Sequence, residues 1–359
     1  MARSRRRGTA RVILVLGTAF AALATSEAVV RSLPVANVLG WQQATPIQTR
    51  VAEFDSGTPV KIVALGDSFA EWRAGQGANM FDHAKAGLSG RHAALLNLGQ
   101  SGTDVDQYIA AYHRYVRFVP DQIVLLLYLG NDVHVYSPGQ PSQAIPEPTW
   151  RETIKRYTVL PNLIFRAGKR YVPFLRSGFF ERNVTVVQRE TGLSDNQIQE
   201  RIRRIDPQIL ELARADAVNP WIPAIGIAFP EYYKDLLGLR TAAAKRAADS
   251  TVTLIQAFAA EVKVSRFNVV FLPESLQAST AFDDFFTRCG FDLEGFPLED
   301  RNRLTEYLEI KLRQAGLNTI DTMPALRQEG GGYLPLDTHL NARGHEVVGE
   351  MIVRALEES

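Results

Sequence analysis

Ser68 stands in Gly66-Asp67-Ser68 at the end of an apolar run, and far along the chain Asp337-Thr338-His339 holds a carboxylate and an imidazole. A serine hydroxyl is a weak nucleophile until a base takes its proton and donors hold the resulting oxyanion. His339 is a candidate base, and Asp337 a candidate carboxylate to orient it. Gly102 lies in a turn-forming cluster, where the missing Cβ lets a backbone N–H approach a substrate oxygen. Asn131, in Gly130-Asn131-Asp132, offers a side-chain amide to the same atom. Together these residue types suit attack on an acyl carbonyl.

Such residues act together only if the fold gathers them. Val60–Leu65 is an apolar, β-branched run that reads as a buried strand delivering Ser68 at its carboxyl end. His92–Leu98 reads as a second strand ending in Gly99-Gln100-Ser101-Gly102. Asp104–Phe118 has apolar residues at helical spacing, and Gln122–Leu129 is a strand covered on both faces. This alternation predicts a parallel sheet with helices on both sides, whose carboxyl edge gathers ligand-binding loops. Phe267–Leu272 resumes the strand pattern, Leu304–Gln314 reads as a helix, Leu317–Ile320 as a last strand and Asn341–Glu357 as a final helix. Residues 135–265 interrupt the rhythm and read as a largely helical insertion or cap, with Ser194-x-x-Gln197 opening a helix towards Ala215 and another helix over Leu236–Val262.

Structural roles suit the neighbouring polar residues: Asp67 to fix its turn, Gly99 to turn the chain, Asp132 to hold its loop, Asn341 to cap the last helix and His345 to pack inside it. Trp72 reads more naturally as a core aromatic than as a pocket wall. His134 is close enough to Asn131 in sequence to line the pocket. The basic, aromatic stretch 149–182 suits a solvated face, a surface for anionic lipid or a docking site.

The four blocks, in this order, resemble those of the SGNH (GDSL-type) hydrolase superfamily. They are Leu65-Gly66-Asp67-Ser68-Phe69, Asn97-Leu98-Gly99-Gln100-Ser101-Gly102, Leu129-Gly130-Asn131-Asp132 and Asp337-Thr338-His339-Leu340-Asn341. The resemblance spans residues 60–132 and 317–356, with Phe267–Pro273 in the fourth-strand slot. It implies a flavodoxin-like three-layer α/β/α sandwich and ester hydrolysis or acyl transfer without a metal or other cofactor. In it Ser68 attacks, His339 shuttles the proton and Asp337 orients the ring. The Ser68 N–H, Gly102 N–H and Asn131 amide hold the oxyanion. One residue separates Asp337 from His339 where many members have two, which resembles envelope polysaccharide acetyltransferase relatives and anchored members. That spacing leaves open a Ser68–His339 dyad helped by a backbone carbonyl.

The remaining sequence bears on place and partners. Residues 1–11 carry five arginines and no acid, and Val12–Val30 is mostly apolar. This is the layout of an export signal, either cleaved near Ala22-Leu23-Ala24 or retained as a membrane anchor with the remainder outside the cytoplasm. Residues 32–58 read as an irregular linker or covering segment, and the hydrolase domain as 59–359. Forty basic against 39 acidic residues give no support to a nucleic-acid partner. The single cysteine, Cys289, rules out an intramolecular disulfide. The expected function is an extracytoplasmic serine esterase acting on an ester-bearing small molecule or envelope polysaccharide. The competing readings are an O-acyltransferase working with a membrane acyltransferase partner, and a non-catalytic envelope binding protein.

Overall fold

The computed structural model describes residues 47–72, 78–134, 178–215 and 217–357, together with isolated helical positions 22, 25 and 26. The chain opens with helix α1 (Ile47–Ala52), then β1 (Val60–Leu65), the short α2 (Ser68–Glu71), α3 (Met80–Gly87) and β2 (Ala93–Asn97). Next come α4 (Val105–Tyr115) and β3 (Gln122–Tyr128). A helical block follows: α5 (Phe179–Thr191), α6 (Asp195–Ile202), α7 (Pro207–Arg214), α8 (Trp221–Ala228), α9 (Tyr232–Leu237) and the long α10 (Ala242–Val262). The chain closes with β4 (Arg266–Leu272), α11 (Ser275–Ala278), α12 (Asp283–Arg288), α13 (Arg303–Gln314), β5 (Asn318–Asp321), α14 (Met323–Gln328) and α15 (Ala342–Glu357).

The five strands form one sheet in the order β2-β1-β3-β4-β5, every neighbouring pair parallel. This is a doubly wound order, whose direction reverses between β1 and β3 and opens a crevice beyond their carboxyl ends. Helices α3 and α15 pack together, while α4, α10 and α13 form a second group. Right-handed crossovers place the two groups on opposite faces of the sheet. Tyr112 of α4 and Phe267 of β4 both meet Phe258 of α10 edge to face, so aromatic packing joins that helical layer to the sheet. Residues 124–127 of β3 are wholly buried, as a central strand covered on both faces requires.

Local chemistry sets the helix starts. Asn79 with Asp82, Asp104 with Gln107 and Ser194 with Gln197 each make a capping box, opening α3, α4 and α6. The helix expected from Ser194 towards Ala215 is two helices, because Pro207 starts a new one capped by the Asp206 carboxylate. The helix expected over Leu236–Val262 is likewise broken. Leu239 takes a left-handed φ of 48° between α9 and α10. Residues 47–52, expected to be irregular, form α1, and Ile47 is buried in the core. Arg50 of α1 donates to the Asn97 and Gly99 carbonyls at 2.9 and 2.8 Å, covering the exposed end of edge strand β2.

Among the described residues no helix is long and apolar enough to cross a membrane. The hydrophobic segment Val12–Val30, apart from those isolated positions, and the stretch 135–177 lie outside the described residues. Cys289 is fully buried, and burial pushes its thiol up to about 12 against the nearby Arg288 charge.

Candidate active site

Ser68 is the first residue of α2, directly beyond the end of β1. Asp67 caps this turn: its Oδ1 accepts the Phe69 N–H at 3.0 Å. The turn is pinned from two sides, because Asn79 and Asn97 both donate to the Ala70 carbonyl at 2.8 Å. The loop after β2 is fastened to it, with the Gln100 N–H on the Gly66 carbonyl at 3.0 Å and the Ser101 N–H on Glu71 Oε2 at 2.7 Å. Gly102 follows with a φ of 73°, which an L side chain would strain, and open space where a Cβ would stand. Among the described residues, neither the Gly102 N–H nor the Ser68 N–H is used in a hydrogen bond.

The last block reaches the same edge from the far end of the chain. His339 Nε2 lies 2.8 Å from Ser68 Oγ, and Nδ1 lies 2.6 Å from Asp337 Oδ1. An ionised carboxylate only accepts, so Nδ1 carries the proton and Nε2 is free to accept the Ser68 hydroxyl hydrogen. The single intervening residue also lets the His339 N–H donate to Asp337 Oδ1 at 3.2 Å, closing an Asx-type turn that holds the carboxylate against its own ring. It is therefore the Asp337 carboxylate, rather than a backbone carbonyl, that faces Nδ1. Asn341 caps α15 through the Gly344 N–H at 2.9 Å, and His345 packs inside that helix, its Nδ1 accepting the Met80 N–H at 3.3 Å.

Electrostatics favour a working imidazole. Burial works against a charged His339, but the charge and hydrogen bond of Asp337, with the charges of Asp67 and Glu274, together outweigh it, and the ring is raised above its ordinary value. Burial would raise Asp337, yet the His339 ring and backbone hold it below the usual carboxylate range. Asp67 is different. Burial pushes it up to about 6 against the Phe69 N–H and the His339 charge. Its Oδ2 is buried without a hydrogen bond, although the Asn131 side chain faces the group. Asp132 holds the next turn by accepting the Tyr128 N–H at 2.7 Å and the Tyr108 hydroxyl at 2.9 Å. Asn131 itself is exposed on that turn. His134 Nε2 lies 3.1 Å from Asp104 Oδ2, tying the loop of Asn131 to the start of α4 just past Gly102.

One expectation is corrected. Trp72 is no remote core aromatic; its ring stacks on His339, centroids 4.5 Å apart at 17°. Phe69 meets the same imidazole at 4.7 Å. Sequence reasoning missed the residues beneath the site, Tyr128 and Glu274. A signal existed in Glu274-Ser275-Leu276-Gln277, a capping-box pattern just past the fourth strand, at the edge where the other blocks end.

Parallel α/β architecture with a hydrogen-bonded Ser–His–Asp array at its carboxyl edge is therefore what the fold and the site define. No protein-family model matches the chain, and no curated protein matches it. Solved structures similar in fold include the acetylxylan esterase Axe2 of Geobacillus stearothermophilus, at 11% identity over 83% of this chain and 94% of that one, with a TM-score of 0.38. A Bacteroides fragilis protein described as an acylhydrolase matches at 10% identity over 86% and 93%, with a TM-score of 0.39. Likeness at this level is no basis for assigning an activity.

Proposed function

We propose that this protein is a serine esterase that breaks an acyl ester. The observation that carries the reading is the unbroken hydrogen-bonded line from Ser68 Oγ through His339 to Asp337. Ser68 Oγ attacks the acyl carbon as its proton passes to His339 Nε2. The developing oxyanion is met by the unused N–H groups of Ser68 and Gly102, and the Asn131 amide supplies a third donor. His339 then gives its proton to the departing alcohol, and water, activated by the same ring, releases the acid. Asp337 keeps the ring in the required tautomer and stabilises the imidazolium. An acetylated carbohydrate of the cell envelope is the substrate class proposed. The site is proposed to work outside the cytoplasm, delivered there by the basic and apolar residues 1–30 and, if these are retained, tethered by them.

The test is labelling by a fluorophosphonate followed by peptide mapping, together with p-nitrophenyl acetate turnover. Label on Ser68, and loss of both signals in Ser68→Ala and His339→Ala, is expected. A wild-type protein as inert as Ser68→Ala would overturn the reading. Because His339 must be neutral to act and is raised, turnover should climb with pH through a single ionisation above 6.5. A second reading is transfer of the acyl group to a sugar hydroxyl with a membrane acyltransferase as donor partner, which the Asp-x-His spacing favours. Incubation with an acyl donor and an oligosaccharide separates the two: mass gain on the sugar selects transfer, and free acid alone selects hydrolysis.

A further inference from the structure

Beneath the imidazole lies a second carboxylate that the proposed reaction leaves without a role. Glu274 is wholly buried two residues beyond the end of β4. It accepts the Tyr128 hydroxyl on Oε2, and the Ser275 N–H and hydroxyl on Oε1 at 2.8 and 2.7 Å. No cation bonds to it among the described residues. Burial raises Glu274 above the usual carboxylate range, and three donors gathered on it oppose that shift.

The pair reaches both the nucleophile turn and the turn of Asn131. Tyr128 closes β3, and its ring packs on Phe69 of the nucleophile turn at 4.4 Å. The side chain of Thr338, between Asp337 and His339, faces the Tyr128 hydroxyl. Gly130, next to Asn131, lies so close that a Cβ there would collide with Glu274 Oε2 and the Tyr128 hydroxyl. The Gly130 carbonyl in turn accepts the hydroxyl of Tyr232, from α9, at 3.3 Å. The neighbouring Tyr233 faces Glu274 itself.

We propose that Tyr128 and Glu274 are positioning residues of this site, a buried phenol–carboxylate pair that packs under the nucleophile turn and the turn of Asn131 and lends a further negative charge to the imidazolium of His339. The proposal rests on the reading of His339 as the base. The ionisable groups facing His339 are Asp337 on its own loop, Asp67 on the nucleophile turn, Glu274 after β4 and His345 on α15. Those facing Glu274 are Tyr128, Tyr233, Tyr333 and His339. Among the described residues His339 is the basic group that Glu274 faces, and its charge bears on that group. Removing the charge makes the imidazolium easier to deprotonate.

The experiment is an imidazole titration by NMR on the full chain labelled with ¹⁵N-histidine. The His339 signal is assigned by its loss in His339→Gln. In Glu274→Gln, His339 should titrate lower by about half a pH unit or more. Glu274→Asp should bring His339 back towards the wild-type value. Should Glu274→Gln fail to fold, Tyr128→Phe carries the same test, because it removes a donor that keeps Glu274 ionised. His339 titrating at the wild-type pH in the variant overturns the proposal. Fluorophosphonate labelling of wild-type Ser68 separates this result from the esterase reading. A displaced His339 in a protein that takes no label sustains the coupling and sinks the esterase. A labelled Ser68 with an undisplaced His339 does the reverse.

Discussion

Asp337 and Asp67 both act on His339, and their surroundings move them in opposite directions. Asp337 is held low, so its bond to His339 stabilises the fold above the unfolded carboxylate range and is lost as pH falls through the lowered value. Asp337→Asn should cut acylation by about 10²–10⁴-fold, since the amide favours the wrong tautomer of the ring. Burst or labelling kinetics would measure it. Asp67 is pushed up from 3.8 to about 6, so the native state holds its proton more tightly than the unfolded chain does. Stability therefore falls as pH rises between those values, and above 6 the buried charge is a standing cost. Asp67→Asn, which keeps an oxygen for the Phe69 N–H, should raise stability at pH 8 by about 1–3 kcal/mol and leave it unchanged below pH 4. Urea unfolding at both pH values would show this. An equal gain at both would mean that charge is not the cause.

At the scale of elements, the nucleophile turn depends on its neighbours. Asn97, the last residue of β2, donates to the Ala70 carbonyl and accepts the Gly99 N–H, both at 2.8 Å. Asn97→Ala should cost about 1–3 kcal/mol and slow Ser68 labelling, because it frees both the nucleophile turn and the Gly102 loop. Asn341→Ala, by contrast, should cost about 1 kcal/mol through its lost cap on α15. The strands and their loops were legible in the sequence because each is a short apolar run ended by Gly, Asn, Asp or Pro. The breaks inside the helical block were harder to read. Pro207 was visible, but Leu239 in a left-handed conformation gives no signal in its residue type. Helices α11 and α12 went unread for a different reason. Arg301, buried and paired with Asp283 at 2.5 Å, also donates to the carbonyls of Leu276 and Phe296, so a distant side chain fixes that segment rather than its own periodicity. Trp72 was misjudged because stacking on His339 is a contact across more than 260 residues of chain.

Across the whole molecule, the helical block is not a detached lid. Tyr232 and Tyr233 of α9 reach the turn of Asn131 and the buried Glu274, so the segment between β3 and β4 takes part in supporting the site. Tyr232→Phe should lower Ser68 labelling while changing stability by no more than about 1.5 kcal/mol. Equal labelling would show that the block supports the fold alone. For place, the proposed export expects the full chain expressed in cells either to fractionate with membranes or to lose about 25–30 amino-terminal residues by intact mass. Full-length protein in the soluble cytoplasmic fraction would count against it.

The lone thiol bears on the proposed export. A sulfur sealed in the core, with no second cysteine to meet and its ionisation driven far above neutrality, gives oxidants nothing to work on. Under the proposed export, passing from the reducing interior of a cell to air-exposed surroundings would form no disulfide within the chain. Its folding needs neither an oxidoreductase nor a quality check on sulfur pairing.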